Sequence, residues 1–178
     1  LRKLSNITQE EISMKLPGWI ATVFSALAAT LLPACDAVNL PEIKPGITTL
    51  AEVRSRMGEP GFIHRNDDGT ATWEYSRQPA GIHCYMISFD GRDIVSELEQ
   101  VLTPENLARV APGMTQQELR RRLGQPARRE VFSNLGEEVW EWHIAGDIPT
   151  EETYFSAHFD LGDGTLRKAG QRIEQKGR

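Results

Sequence analysis

The chain has 178 residues, with 20 Lys and Arg against 25 Asp and Glu, a formal net charge of −5. A hydrophobic share of 39% and a charged share of 25% are those of a globular protein and exclude a multi-span membrane protein, a collagen and a disordered chain. The acidic balance argues against nucleic acid as the main partner. Two cysteines, Cys35 and Cys84, are too few for a disulfide framework.

Residues 16–35 carry no charge, and 19–32 (WIATVFSALAATLL) are almost wholly apolar or small. With Met14-Lys15 before them, they have the layout of a secretory signal: a short basic start, an apolar stretch and small residues at a cleavage point. The stretch ends in Leu31-Leu32-Pro33-Ala34-Cys35, which resembles a bacterial lipobox. That resemblance implies cleavage after Ala34 and acylation of Cys35. The expected layout is a polar extension over 1–13, a lipoprotein signal peptide over 14–34 and a lipidated tether over 35–43. About 20 apolar residues also suffice to span a bilayer, so an uncleaved anchor is the alternative. Each buried CH₂ of an acyl chain contributes about 0.8 kcal/mol, so two or three chains on Cys35 would hold the body firmly on a membrane. The expected address is the periplasmic face of a bacterial envelope. The outer membrane is favoured. Asp36, directly after the cysteine, resembles an inner-membrane retention signal and leaves that address open.

Beyond the tether, four sequence blocks occur twice in the same order. Lys44-Pro45-Gly46-Ile47-Thr48 pairs with Ala111-Pro112-Gly113-Met114-Thr115. Glu52-Val53-Arg54-Ser55-Arg56-Met57-Gly58-Glu59-Pro60 pairs with Glu118-Leu119-Arg120-Arg121-Arg122-Leu123-Gly124-Gln125-Pro126. Trp73-Glu74-Tyr75 pairs with Trp140-Glu141-Trp142, and Tyr85 to Asp90 pairs with Phe155 to Asp160. A fixed order at a fixed period predicts two copies of one unit, over 44–100 and 101–178. In each, Thr48 or Thr115 is the expected helix N-cap, and the Gly-x-Pro sequence ends the helix. Thr103-Pro104-Glu105 opens an additional helix, to Val110, in the second unit. Period-two alternation around Trp73 and Trp140 predicts strands. Asn66-Asp67-Asp68-Gly69, Asn134-Leu135-Gly136, Asp90-Gly91-Arg92-Asp93 and Gly162-Asp163-Gly164 predict hairpin turns. The expected fold is α+β: in each unit, helices on one face of a three-stranded antiparallel meander.

These motifs together resemble the BamE (SmpA/OmlA) family of outer-membrane lipoproteins, here in tandem. They are Gly113-Met114-Thr115, Leu119, Leu123-Gly124-Gln125-Pro126 and Trp140-Glu141-Trp142, with their first-unit counterparts. The same tandem fold also resembles the secreted β-lactamase-inhibitory protein. The BamE resemblance implies a scaffold or accessory protein of the envelope, acting in assembly of outer-membrane β-barrels, with the β-barrel assembly complex among its envelope partners. The alternative is an inhibitor-like or ligand-binding lipoprotein unrelated to barrel assembly.

No enzyme, cofactor or metal is expected. His64, His83, His143 and His158 show no metal spacing. His83 and Cys84 adjoin on a strand and so point to opposite faces. Asp160-Leu161-Gly162-Asp163-Gly164 lacks most of the ligands of a calcium loop. The candidate binding residues are the basic run Arg120, Arg121 and Arg122, read either as a solvated helix face or as a contact for an acidic partner or lipid headgroup. Met86, Tyr154 and His158 join them, since alternation turns these away from the helices. That outer face is read either as a partner surface or as the place where the two units pack on each other.

Overall fold

Two threonines start the two longer helices in the same way. The hydroxyls of Thr49 and Thr115 accept the backbone N–H of Glu52 and Glu118, whose carboxylates accept the threonine N–H at 2.8 and 2.7 Å. This reciprocal pair satisfies two donors that a helix start otherwise leaves open. Helix α1 spans Leu50–Met57; the four-residue α2 spans Pro104–Leu107 and α3 spans Gln116–Leu123. The first cap is therefore Thr49 and not Thr48. The extra residue of the first unit is taken up in the preceding turn, where Thr48 is buried and its hydroxyl accepts from the Lys44 N–H at 2.8 Å.

The computed structural model describes residues 39–148 and 151–175. The extension over 1–13, the signal peptide over 14–34, Cys35 and Asp36 lie outside the described residues. The chain divides into Leu1–Leu40, almost wholly outside that range, and Pro41–Arg178, which holds every element discussed below.

Strands β1 (Phe62–Arg65), β2 (Ala71–Ser76), β3 (Cys84–Phe89) and β4 (Val95–Gln100) form one antiparallel sheet in sequence order. Strands β5 (Arg128–Phe132), β6 (Glu137–Ile144), β7 (Glu151–Asp160) and β8 (Leu166–Gln175) form a second in the same order. The expected helix-rich α+β unit with a three-stranded meander is thus corrected. The described chain is mostly β, with two four-stranded sheets and only short helices. In each half the two expected hairpin turns join separate pairs, β1 with β2 and β3 with β4 in the first, and a further connection pairs β2 with β3, which makes four strands. The strands with the weakest signal of their own are the edges β1 and β5, whose sequences FIHR and RREVF show no alternation and leave most side chains exposed. The expected helix over Thr103–Val110 is a single turn, capped by Thr103 and ending at Leu107.

The two halves repeat in detail. The Gly46 N–H donates to the Val95 carbonyl at 2.7 Å, as Gly113 does to Leu166 at 2.8 Å. Each third strand carries a bulge at the same place, Ser88/Phe89 and His158/Phe159. The Tyr75 hydroxyl donates to the Gly58 carbonyl at 2.9 Å, and the Trp142 Nε1–H donates to the Gly124 carbonyl at 3.0 Å. An aromatic residue at one strand position thereby ties down the end of the helix in both halves.

Packing stacks the elements as α1, first sheet, α2 with α3, second sheet. Val53 of α1 packs with Trp73, Tyr75, Ile87, Phe89 and Val95 on the inner face of the first sheet. Leu119 and Leu123 of α3 pack with Trp140, Trp142, Phe155 and Phe159 of the second. The same cluster takes in Cys84, Met86, Val101 and Leu102 from the first half, so α3 lies between the two sheets. Each large apolar side chain buried in this way contributes about 1.5–3 kcal/mol.

Candidate functional site: the open face of the second sheet

The outer face of the first sheet is a docking surface already in use. Glu74 stands there, 1% exposed, between two strands of the sheet and the end of α3. Its carboxylate meets the His64 ring nitrogen at 3.0 Å, accepts the Gln125 backbone N–H at 2.9 Å and is ion-paired with Arg120. Burial pushes the Glu74 carboxyl up, but the bonds from His64, Gln125 and Arg120 outweigh it and leave it below its ordinary value. Beside it, a Cβ on Gly124 would stand 2.4 Å from the Cys84 sulfur, so only a glycine lets the helix end come this close. Burial, with the charge of Glu74, pushes the Cys84 thiol up to about 12. A fully buried thiol of that kind is no nucleophile at neutral pH.

Glu141 is the counterpart of Glu74. Glu74 pairs across the sheet with Phe62, and Glu141 with Arg128, at the same register position. Among the described residues no helix covers the outer face of the second sheet. The side chains there differ accordingly. Where the first sheet has Phe62, Cys84, Met86 and Val101, the second has Arg128, Tyr154, Ser156 and Arg172. Arg128 Nε donates to Glu141 Oε2 at 2.8 Å, and Arg172 Nε and the Ser156 hydroxyl donate to Oε1, each at 3.0 Å. Both guanidiniums lie against the Tyr154 ring, 5.6 and 5.1 Å from its centroid, and the His143 ring stacks on it at 5.1 Å. The Tyr154 hydroxyl donates to Glu152 at 2.9 Å. Further along, His158 Nδ1 meets Glu137 at 3.0 Å. A hollow of about 330 Å³ opens over Val139, bordered by Phe132, Glu130, His158 and the two arginines. The arginine side chains remain 51% and 40% exposed, so a rigid Arg–Tyr–Arg stack faces solvent on a sheet fixed from behind.

The candidate residues part company here. Tyr154 and His158 lie on this open face. Met86 does not: it is 6% exposed beneath α3, in the core the halves share. Arg120 is held by Glu74 and stacks on Phe62 at 5.0 Å, and Arg121 donates to the Arg65 carbonyl at 2.8 Å. Arg122 borders a separate groove between α3 and the first sheet. Cys35 lies outside the described residues. Arg172 and Glu141 were missed as site residues. The signal for Glu141 was the Trp-Glu-aromatic block, which places a carboxylate at one strand position in both halves. For Arg172 there was none, because LRKAGQRIEQ has no apolar alternation.

No family model matches the chain, and no curated protein matches it. Among solved structures it is similar to a "putative beta-lactamase inhibitor protein" from Streptococcus mutans, at 12% identity and a TM-score of 0.31, over 78% of this chain and 96% of that one. It is also similar to a DUF4309 family protein from Bacillus subtilis, at 20% identity and a TM-score of 0.28, over 75% of this chain and 82% of that one. At such scores neither says what this chain binds. Neither is a BamE protein, and no family model or curated match supports that family. With four strands in each sheet in place of three, the BamE assignment is withdrawn. Two of the motifs that suggested it, a glycine helix end and an aromatic strand, meet in the hydrogen bonds from Tyr75 to Gly58 and from Trp142 to Gly124.

Proposed function

We propose that this is a lipid-anchored envelope protein that works by binding another protein, as an inhibitor or ligand-binding module does, through the open face of the second sheet and without chemistry of its own. The observation that carries this reading is the comparison of the two halves. The face that seats α3 in the first half carries no helix among the described residues in the second and is rebuilt around Tyr154, Arg128 and Arg172. Tyrosine and arginine are the residues that most often dominate protein interfaces, and a stacked arrangement loses little entropy when a partner docks. The partner that fits presents a helix end or loop, the kind of element the first sheet already holds. The barrel-assembly reading depended on the family resemblance and has lost its basis.

Affinity co-purification of the full-length chain from gently solubilised envelopes is expected to recover one protein in stoichiometric amount. Purified, that protein should bind at least tenfold more weakly to Tyr154→Ala and to Arg172→Ala, and equally well to Ser55→Ala on α1. A partner indifferent to both face substitutions would place binding elsewhere. The anchor has its own test. Cys35→Ala should remove the acyl mass and release the chain from the membrane fraction; an unchanged mass and fractionation would remove the lipid from the account.

A further inference from the structure

Helix α3 covers only part of the outer face of the first sheet. Its C-terminal end sits on Glu74 and Cys84. Next to that contact, a groove of about 470 Å³ stays open between the sheet, α3 and the turn after α2. That volume is within the range of small-molecule sites, roughly 300–1,000 Å³. Its apolar lining comes from Met86, Val101 and Met114, and Thr72 and Ser88 add hydroxyls bonded to each other at 2.9 Å.

The rim is supplied with cationic donors. The Arg122 side chain makes no hydrogen bond among the described residues. The Arg109 guanidinium makes one long bond, 3.4 Å, to the buried Asn106, and Arg121 directs its guanidinium to the backbone of Arg65. The two carboxylates at the groove are already engaged. Glu99 accepts from Asn106 at 2.6 Å, and Glu118 is turned into the α3 cap, where it accepts from the Thr115 N–H and hydroxyl. The bonds from Thr115 hold that carboxyl below its ordinary value, and Arg122, one turn along α3, adds the smallest part without bonding to it. Two guanidiniums with open donor positions above an apolar floor match a carboxylate carried on a small apolar group, which arginine binds in a fork.

We infer that this groove is a second binding site, distinct from the open face of the second sheet, for a small carboxylate with an apolar substituent, held by Arg122 and Arg109 with its apolar part on Met86 and Met114. Two sources share that chemistry, the C-terminal residue of a peptide and a free short-chain acid.

The test is a titration of the full chain, with its methionine methyls ¹³C-labelled, read by NMR. The probes are N-acetyl-leucine, hexanoate and N-acetyl-leucinamide. The expected result is saturable shifts of the Met86 and Met114 methyls with Met57 unmoved. Affinity should fall at least tenfold in Arg122→Gln and be unchanged in Arg56→Gln on α1. The amide should bind at least tenfold more weakly than its acid. Binding of N-acetyl-leucine alone assigns the site to a peptide terminus, and binding of hexanoate alone to a free acid. The inference is overturned if neither acid shifts the two methyls, if the amide binds as well as the acid, or if Arg122→Gln binds as the wild type does. None of these outcomes bears on Tyr154 or the second sheet.

Discussion

Gly124→Ala is expected to destabilise the chain far more than Gly58→Ala, although the two glycines end equivalent helices. Both adopt nearly one backbone conformation, φ 76 and 78 with ψ −166, which essentially only glycine tolerates. A side chain at either position therefore carries a backbone cost of about 1–3 kcal/mol. At Gly58 nothing lies within 4 Å of the added Cβ. At Gly124 the Cβ would stand 2.4 Å from the Cys84 sulfur and 3.3 Å from the Glu74 carboxylate, both fully buried. Overpacking of a filled site adds about 1–3 kcal/mol, so the total at Gly124 is about 2–6 kcal/mol. Chemical denaturation of both variants checks this. A loss at Gly124 no greater than at Gly58 would mean that the helix end does not sit on the first sheet as described.

The second large effect is expected at Glu74. Glu74→Gln removes the charge that Arg120 and the Gln125 N–H approach at a nearly water-free position. Breaking a buried pair by removing one partner costs about 3–5 kcal/mol, and the partial exposure of Arg120, 22%, sets the expectation at the lower end. The effect depends on pH with a definite sign. The folded carboxyl titrates below its ordinary value of 4.5, so its contribution is complete above that pH and is lost as pH falls through the lower folded value. Glu141 is shifted the same way: burial raises it, and Arg172, Arg128 and Ser156 more than reverse that. The stability difference between wild type and Glu74→Gln should thus be largest near pH 7 and shrink below about pH 4.5. A difference that stays constant from neutral to acid pH contradicts the assignment.

Both predictions bear on the joint between the halves, which is also the feature least legible in the sequence. The helix ends were readable, because Gly-x-Pro after an apolar stripe has a local cause. So were the hairpins at Asn66–Gly69 and Asp90–Asp93, and the outward direction of Tyr154 and His158, which follows from the period of two. The edge strands β1 and β5 were legible only through the turns that follow them, because their own mostly exposed residues carry no apolar rhythm. Alternation put Met86 on the outer face correctly. It cannot tell whether that face meets water, a partner or the next unit of the same chain. That depends on the path of the link through Val101 and Leu102, two buried residues that carry the first sheet directly into the second core. The Glu74–Arg120 pair joins residues 46 positions apart, a separation at which no periodic pattern speaks. The duplication held the most information about the site. Once Glu74 and Glu141 are aligned, one is an anchor beneath a helix and the other lies beneath Arg128 and Arg172, on a face that no helix covers among the described residues.

The central claim is that the open face of the second sheet meets a protein partner. The most direct measurement places a photo-cross-linkable amino acid at position 154 of the full-length chain in intact envelopes, with position 55 on α1 as the control. The account predicts one discrete adduct at 154, none at 55, and a cross-linked protein that, once purified, binds the wild-type chain and loses at least tenfold with Arg172→Ala. A discrete adduct at 55 with none at 154, or binding unaffected by Arg172→Ala, would contradict it.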